Sequence, residues 1–70
     1  MKQTKICANN LDFIGYDPSN QVLEIKFISG EVYHHYNVPS FIYDALVNAD
    51  YPGYYLHAHV RNHYPYQQVD

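Results

Sequence analysis

Seventy residues make one small domain, because a chain of this length buries only about 60% of the surface that its unfolded form exposes. Hydrophobic residues are 47% of the chain, aromatic residues 17%, and the formal net charge is −3. High aromatic content with low net charge argues against disorder. Only four Lys and Arg residues are present, which argues against a protein that grips duplex nucleic acid through phosphates.

The single cysteine, Cys7, has no partner for an internal disulfide, and this argues against a disulfide-stapled secreted miniprotein. The first ten residues lack an apolar stretch long enough for a signal peptide. No run approaches the roughly 20 apolar residues of a membrane span. We therefore expect a soluble protein of the cytoplasm.

The elements are predicted in chain order after a flexible N-terminus over residues 1–8. Alternating apolar residues predict strands over 11–16, 22–28 and 31–36, separated by turns at residues 17–20 and 28–30. Short successive hairpins make a three-stranded antiparallel meander. Pro39, Ser40 and the apolar stripe Ile42, Leu46 and Ala49 predict a helix over 39–48 that packs on the sheet. The fold class is therefore α+β.

The register of both hairpins is also predicted. A three-residue loop over 18–20 would place Phe13 opposite Ile25 and Leu11 opposite Phe27. In the second hairpin a three-residue loop over 28–30 needs a positive φ only at Gly30, whereas a two-residue loop needs one at Ser29. We prefer the longer loop, which places Tyr33 and His35 on the face of Leu23 and Ile25.

Residues 54–63 fit two patterns. Leu56 and Val60 have helical spacing, but Tyr54, Leu56, Ala58 and Val60 also alternate as in a strand. Pro52 just before the segment favours a helix start, so a short C-terminal helix is predicted. Pro65 then requires Tyr64 to be extended or in a turn.

An ordered set of short motifs resembles the KTSC domain, a module found alone in bacterial proteins and at the C-terminus of some lysyl-tRNA synthetases. The resemblance covers a single domain over about residues 9–68 and makes RNA binding a candidate function. The family's central Tyr-x-Tyr motif reads Tyr33-His34-His35 here, so its second tyrosine is replaced. The matching residues are Ile14-Gly15-Tyr16-Asp17-Pro18, Leu23-Glu24-Ile25-Lys26-Phe27, Gly30, Tyr33, Val38-Pro39, Tyr43, Ala45-Leu46, Gly53, Tyr55, Val60-Arg61 and Tyr64-Pro65-Tyr66.

No arrangement of residues indicates catalysis. His57, His59 and His63 have spacings that a metal can use, but a zinc site needs three or four ligands and the remaining candidates are remote in sequence. Surface histidines are the preferred interpretation. The sequence has no glycine-rich phosphate loop and no evident pair of catalytic carboxylates. We expect a protein that is not an enzyme and that needs no metal or cofactor.

Nine tyrosines are too many to be hidden in so small a domain. We expect Tyr33 and Tyr43 in the core, and Tyr16, Tyr36, Tyr54, Tyr64 and Tyr66 to leave exposed aromatic surface. Exposed tyrosines stack on nucleobases and are favoured at protein interfaces.

Two hypotheses on function follow. The first is a module that binds single-stranded RNA or a nucleotide through His34, Tyr36, Arg61 and Tyr64. The second is a protein-interaction or self-assembling accessory module, such as an inhibitor or a sequestering oligomer, with a possible phage origin. Both are compatible with a homo-oligomer and neither involves a membrane.

Overall fold

The structure, a computed structural model, describes residues 2–8 and 11–70, with side chains from residue 11 onward. A five-stranded antiparallel sheet has its strands in chain order, β1 to β5, so that β1 and β5 are the edges. Two helical segments lie between β4 and β5 in the chain. The elements are β1 Lys2–Ala8, β2 Leu11–Asp17, β3 Val22–Phe27, β4 Val32–His35, α1 Ser40–Val47, α2 Pro52–Tyr55, a π-helical turn Leu56–Val60, and β5 Tyr66–Gln68.

The α+β class is confirmed, but the number of strands was underestimated. The segment expected to be a flexible N-terminus pairs with β2 over residues 2–8. At the other end, Tyr66–Gln68 pairs with β4, with Tyr66 opposite His35. Both additional strands are antiparallel and extend the predicted meander at its two edges, so that backbone hydrogen bonds are satisfied along β2 and β4 on both sides.

The first hairpin departs from the predicted register by one residue. Its loop has four residues, 18–21, because Gln21 takes a positive φ of 54° and Asp17 pairs with Val22. Ile14 therefore lies opposite Ile25, and Phe13 lies opposite Lys26. A bulge between Leu11 and Phe13 restores the predicted pairing of Leu11 with Phe27.

The second hairpin has the predicted register. Ile25 pairs with Tyr33 and Leu23 with His35, which places those side chains on one face. Gly30 has a φ of +104°, the conformation that the three-residue loop requires of it. We call the face that carries Leu23 and Ile25 the inner face of the sheet, and the face that carries Glu24 the outer face.

The helical prediction for the C-terminal segment is confirmed, although the helix begins earlier and ends earlier than predicted. Pro52 occupies its first turn, where a missing N–H costs nothing. The backbone N–H of Arg61 donates to the Leu56 carbonyl over 2.9 Å, a bond between residues five apart. This turn is wider than an α-helical turn, in which the hydrogen bond joins residues four apart.

The hydrophobic core lies between the inner face and the helices. Ile42 and Leu46 of α1 are buried, as the stripe predicts, together with Ile14, Leu23 and Ile25. Phe13 was expected in this contact, but the register places it opposite the exposed Lys26. Ile14 takes its place and is fully buried.

Tyr16 corrects the expected division of the tyrosines. It is only 5% exposed, and its hydroxyl donates a hydrogen bond to the Val38 carbonyl. Its ring stacks on that of Tyr43 at 5.4 Å between centroids. The shifted register of the first hairpin turns Tyr16 inward, and a buried hydroxyl needs such a partner.

Candidate functional site

A cleft of about 410 Å³ opens between the inner face of the sheet and the helix that begins at Pro52. Buried Leu11 and Leu56 supply apolar surface in it. Exposed polar side chains also line it: Ser29 and Glu31 before β4, and His57 and Arg61 from the helical segment. We call this space the cleft. Ligand sites combine apolar surface with placed polar groups, and this cleft has both.

Four rings from neighbouring strands line the cleft on the side of the sheet. Phe27 meets Tyr33 edge-on at 5.8 Å, Tyr33 meets Tyr66 at 6.0 Å, and His35 lies 5.3 Å from Tyr66. The pairing of β3 with β4 and of β4 with β5 brings these residues together on the inner face. Tyr66 remains 46% exposed, so its ring is available to a ligand.

Glu31 and Arg61 bring opposite charges to the cleft. The Glu31 carboxylate accepts hydrogen bonds from the Ser29 hydroxyl at 2.8 Å and from the Tyr33 hydroxyl at 3.3 Å. Partial desolvation and the Glu31 charge raise the pKa of Tyr33, while the Arg61 charge acts in the opposite direction. The Tyr33 hydroxyl is therefore within electrostatic range of both charges, one on each side of the cleft.

His35 is the buried polar residue of the cleft. It is 4% exposed, and its Nδ1 atom is buried without a hydrogen-bond partner. Burial lowers the pKa of His35 to about 4, and the positive charges of Arg61 and His34 act in the same direction. His35 is therefore neutral near pH 7 and adds no positive charge for a phosphate.

The predicted site residues are divided between the two faces of the sheet. His34 lies on the outer face, where its Nε2 is 2.9 Å from Oε2 of Glu24. Tyr36 donates a hydrogen bond to Gln67, the pairing partner of His34, at 3.3 Å. Arg61 lines the cleft, and Tyr64 is half-buried against the core. The structure therefore does not bring the four predicted residues into one site.

Sequence reasoning missed the residues that surround Arg61. The signal for Tyr33 and His35 was present, since the predicted second hairpin places both on the inner face. Tyr66 was expected only as exposed aromatic surface and Glu31 was not identified, because their proximity depends on the loop at Ser29 and on a fifth strand after Pro65. Among the described residues, no group of three His, Cys, Asp or Glu side chains lies close enough together to hold a metal ion.

Comparison with known proteins identifies the family. The family model described as the KTSC domain matches residues 8–64. This chain belongs to the KTSC domain family. A KTSC domain protein from Yersinia pestis, solved by crystallography, superposes with a TM-score of 0.90 at 23% identity, covering 99% of this chain and 97% of that one. The fold is therefore that of a known KTSC structure.

Two relatives in sequence show the contexts in which the KTSC domain occurs. An uncharacterised protein of Stutzerimonas stutzeri is 35% identical over the whole length of both chains. A lysine–tRNA ligase of Nostoc is 33% identical over 54 residues, which are 77% of this chain but only 10% of the ligase. In the part of the KTSC chain that the structure describes, no helix is long and apolar enough to span a bilayer.

Proposed function

We propose that this KTSC protein is a small non-enzymatic module of the cytoplasm that binds single-stranded RNA or a nucleotide in the cleft. The observation that carries the proposal is the meeting of aromatic rings and a guanidinium in one cleft: Tyr33 and Tyr66 from the sheet, and Arg61 from the helical segment. A base of any type can stack on an aromatic side chain, and the guanidinium of an arginine can form hydrogen bonds to the phosphate.

The dimensions and charge of the cleft fit a short ligand. A volume of about 410 Å³ lies within the range of small-molecule sites, which is about 300–1,000 Å³. Among the lining residues from Leu11 onward, Arg61 is the one Lys or Arg side chain. With so few phosphates neutralised, affinity is modest and falls gently with salt. One nucleotide, free or within a strand, occupies the cleft.

The occurrence of this domain in a larger enzyme supports an RNA ligand. A relative of this chain forms part of a lysine–tRNA ligase, an enzyme that handles tRNA. A small module that holds one single-stranded nucleotide would add contacts to such an RNA. The acidic balance of the present chain favours a single-stranded ligand over a duplex, because base stacking does not depend on a basic surface.

The first test is a titration of the full chain with nucleoside monophosphates, by calorimetry, and with a short labelled single-stranded RNA, by fluorescence anisotropy. Saturable binding is expected with at least one of these probes. Tyr66→Ala should weaken it by about 1–3 kcal/mol through lost stacking. Arg61→Ala should weaken the binding of all RNA sequences alike. It should also lower by about 1 the slope of the logarithm of affinity against the logarithm of salt concentration.

Matched controls are available on the same chain. Tyr54→Ala removes a tyrosine that is 70% exposed, and Lys26→Ala removes an exposed cation. Neither residue lines the cleft. Both controls should leave affinity unchanged, and circular dichroism should show that all four variants fold. Absence of saturable binding to every probe would contradict the proposed function.

A second candidate, self-assembly, has its own observation. Large apolar or aromatic side chains remain exposed away from the cleft: Ile28 at 67%, Phe41 at 65%, Tyr51 at 74% and Tyr54 at 70%. Such side chains are typical of protein interfaces. In this alternative the protein is a homo-oligomer or an accessory module that covers another protein.

Sedimentation equilibrium tests the assembly hypothesis. At micromolar concentration we expect a mass of at least twice 8.2 kDa, and Phe41→Ser should reduce it by removing apolar contact area. The exposed polar residue Asn62 offers a control, since Asn62→Ser removes no apolar surface. A mass of 8.2 kDa throughout the range would contradict self-assembly.

A further inference from the structure

We infer that the carboxylate of Glu31 reads the base of the bound ligand and selects guanine. The inference rests on the proposed function, because it concerns the same cleft and the same ligand. It adds the identity of the base, which stacking alone does not determine, since every base has a π-face.

The Glu31 carboxylate is held in a defined orientation. The Ser29 hydroxyl donates to Oε1 at 2.8 Å, and the Tyr33 hydroxyl donates to Oε2 at 3.3 Å. Both donors come from residues two positions away in the chain, one on each side. Each carboxylate oxygen keeps a further lone pair, so the group can accept two more hydrogen bonds side by side.

Within residues 11–70, no cationic side chain neutralises the charge of Glu31. Among the side chains of residues 11–70, no Lys, Arg or His forms an ion pair with Glu31. Arg61 shares the cleft with Glu31 but makes no such pair with it among those residues. The cleft thus offers a carboxylate with a lone pair left on each oxygen and a separate cation, and a complementary ligand carries adjacent donors at one end and an anion at the other.

Guanine has that donor pattern. Its N1–H and its exocyclic N2 amino group are adjacent on the Watson–Crick edge, and a carboxylate accepts from both at once. Adenine and cytosine each place one amino group beside a ring acceptor, and uracil has one N–H between two carbonyl oxygens that repel a carboxylate. With the base stacked on Tyr33 or Tyr66, Arg61 meets the phosphate.

The test compares GMP, IMP, AMP, CMP and UMP by calorimetry with the full chain. IMP lacks only the N2 amino group, so it measures one of the two hydrogen bonds. GMP should bind about fivefold or more tightly than AMP, CMP or UMP, and IMP should fall between. A guanine-containing and a guanine-free single-stranded RNA then distinguish a base within a strand from a free nucleotide.

Two variants that each remove one negative charge distinguish a specific role of Glu31 from a general electrostatic effect. Glu31→Gln replaces one acceptor by a donor and should abolish the guanine preference. Asp50→Asn removes an exposed carboxylate that does not line the cleft and should preserve it. Nucleotide binding without a guanine preference, or with one that survives Glu31→Gln, would overturn this inference and leave the proposed function standing. Absence of all nucleotide and RNA binding would instead overturn the proposed function.

Discussion

Replacing Ile25 with alanine is expected to lower the free energy of unfolding by about 2–5 kcal/mol. Ile25 is fully buried and lies on the central strand β3, between Ile14 on β2 and Tyr33 on β4. The truncated side chain leaves a cavity that the surrounding strands fill only in part. Since small domains have a total stability of about 5–15 kcal/mol, the variant loses a large part of it.

Urea denaturation followed by circular dichroism measures the effect. Ile28→Ala is the matched control, because it makes the same truncation three residues further on, where the side chain is 67% exposed. That control should change stability by less than about 0.5 kcal/mol. Similar losses in the two variants would contradict the position of Ile25 in the core.

Mild acid is expected to destabilise the fold through His35. In the unfolded chain this histidine has its ordinary pKa of 6.5, whereas burial lowers the pKa to about 4 in the fold. The unfolded state therefore binds the proton first. The stabilising effect of a neutral His35 is complete above pH 6.5 and is lost as the pH falls towards 4. The full loss is about 3 kcal/mol.

Stability curves at several pH values, with and without the histidine, isolate this effect. His35→Phe keeps a ring in the cleft but removes the titrating group, so its stability should fall less between pH 6.5 and 4 than that of the unmodified chain. Replacing the buried, unpartnered Nδ1 by carbon should cost little, although the hydrogen bond between His35 and the Leu23 backbone is also lost. His63→Gln, at an exposed position, should keep the original pH dependence. Parallel curves for the unmodified chain and His35→Phe would disprove the role of His35.

Short sequence patterns correctly predicted the parts of the fold that depend on the conformational preferences of a few neighbouring residues. Gly30 requires a positive φ, and this determined the second hairpin correctly. The spacing of Ile42 and Leu46 located the buried side of α1. Where a choice depended on the whole core, local pattern was insufficient. Gln21 takes an unusual conformation in the first hairpin because the shifted register buries Ile14 and Tyr16 together.

The candidate site was predicted only through Arg61. Sequence placed aromatic, histidine and arginine residues in one ligand site, but it could not tell which face of the sheet each occupied. His34 and Tyr36 lie on the outer face, whereas the cleft is formed by their neighbours Tyr33 and His35. Tyr66 reaches the cleft through β5, a three-residue strand too short to give a periodic signal.

The wide turn between Leu56 and Arg61 determines which way the arginine faces. In a regular α-helix, residues five apart are separated by about 140° around the axis, so Arg61 would point away from the side of Leu56. The bond from the Arg61 N–H to the Leu56 carbonyl closes a wider turn, which reduces that angular separation. One extra residue in a helical turn has the same geometric effect as a single-residue insertion, which turns everything after it. Leu56 and Arg61 both line the cleft, and the wide turn lets two residues five apart share that side of the helix.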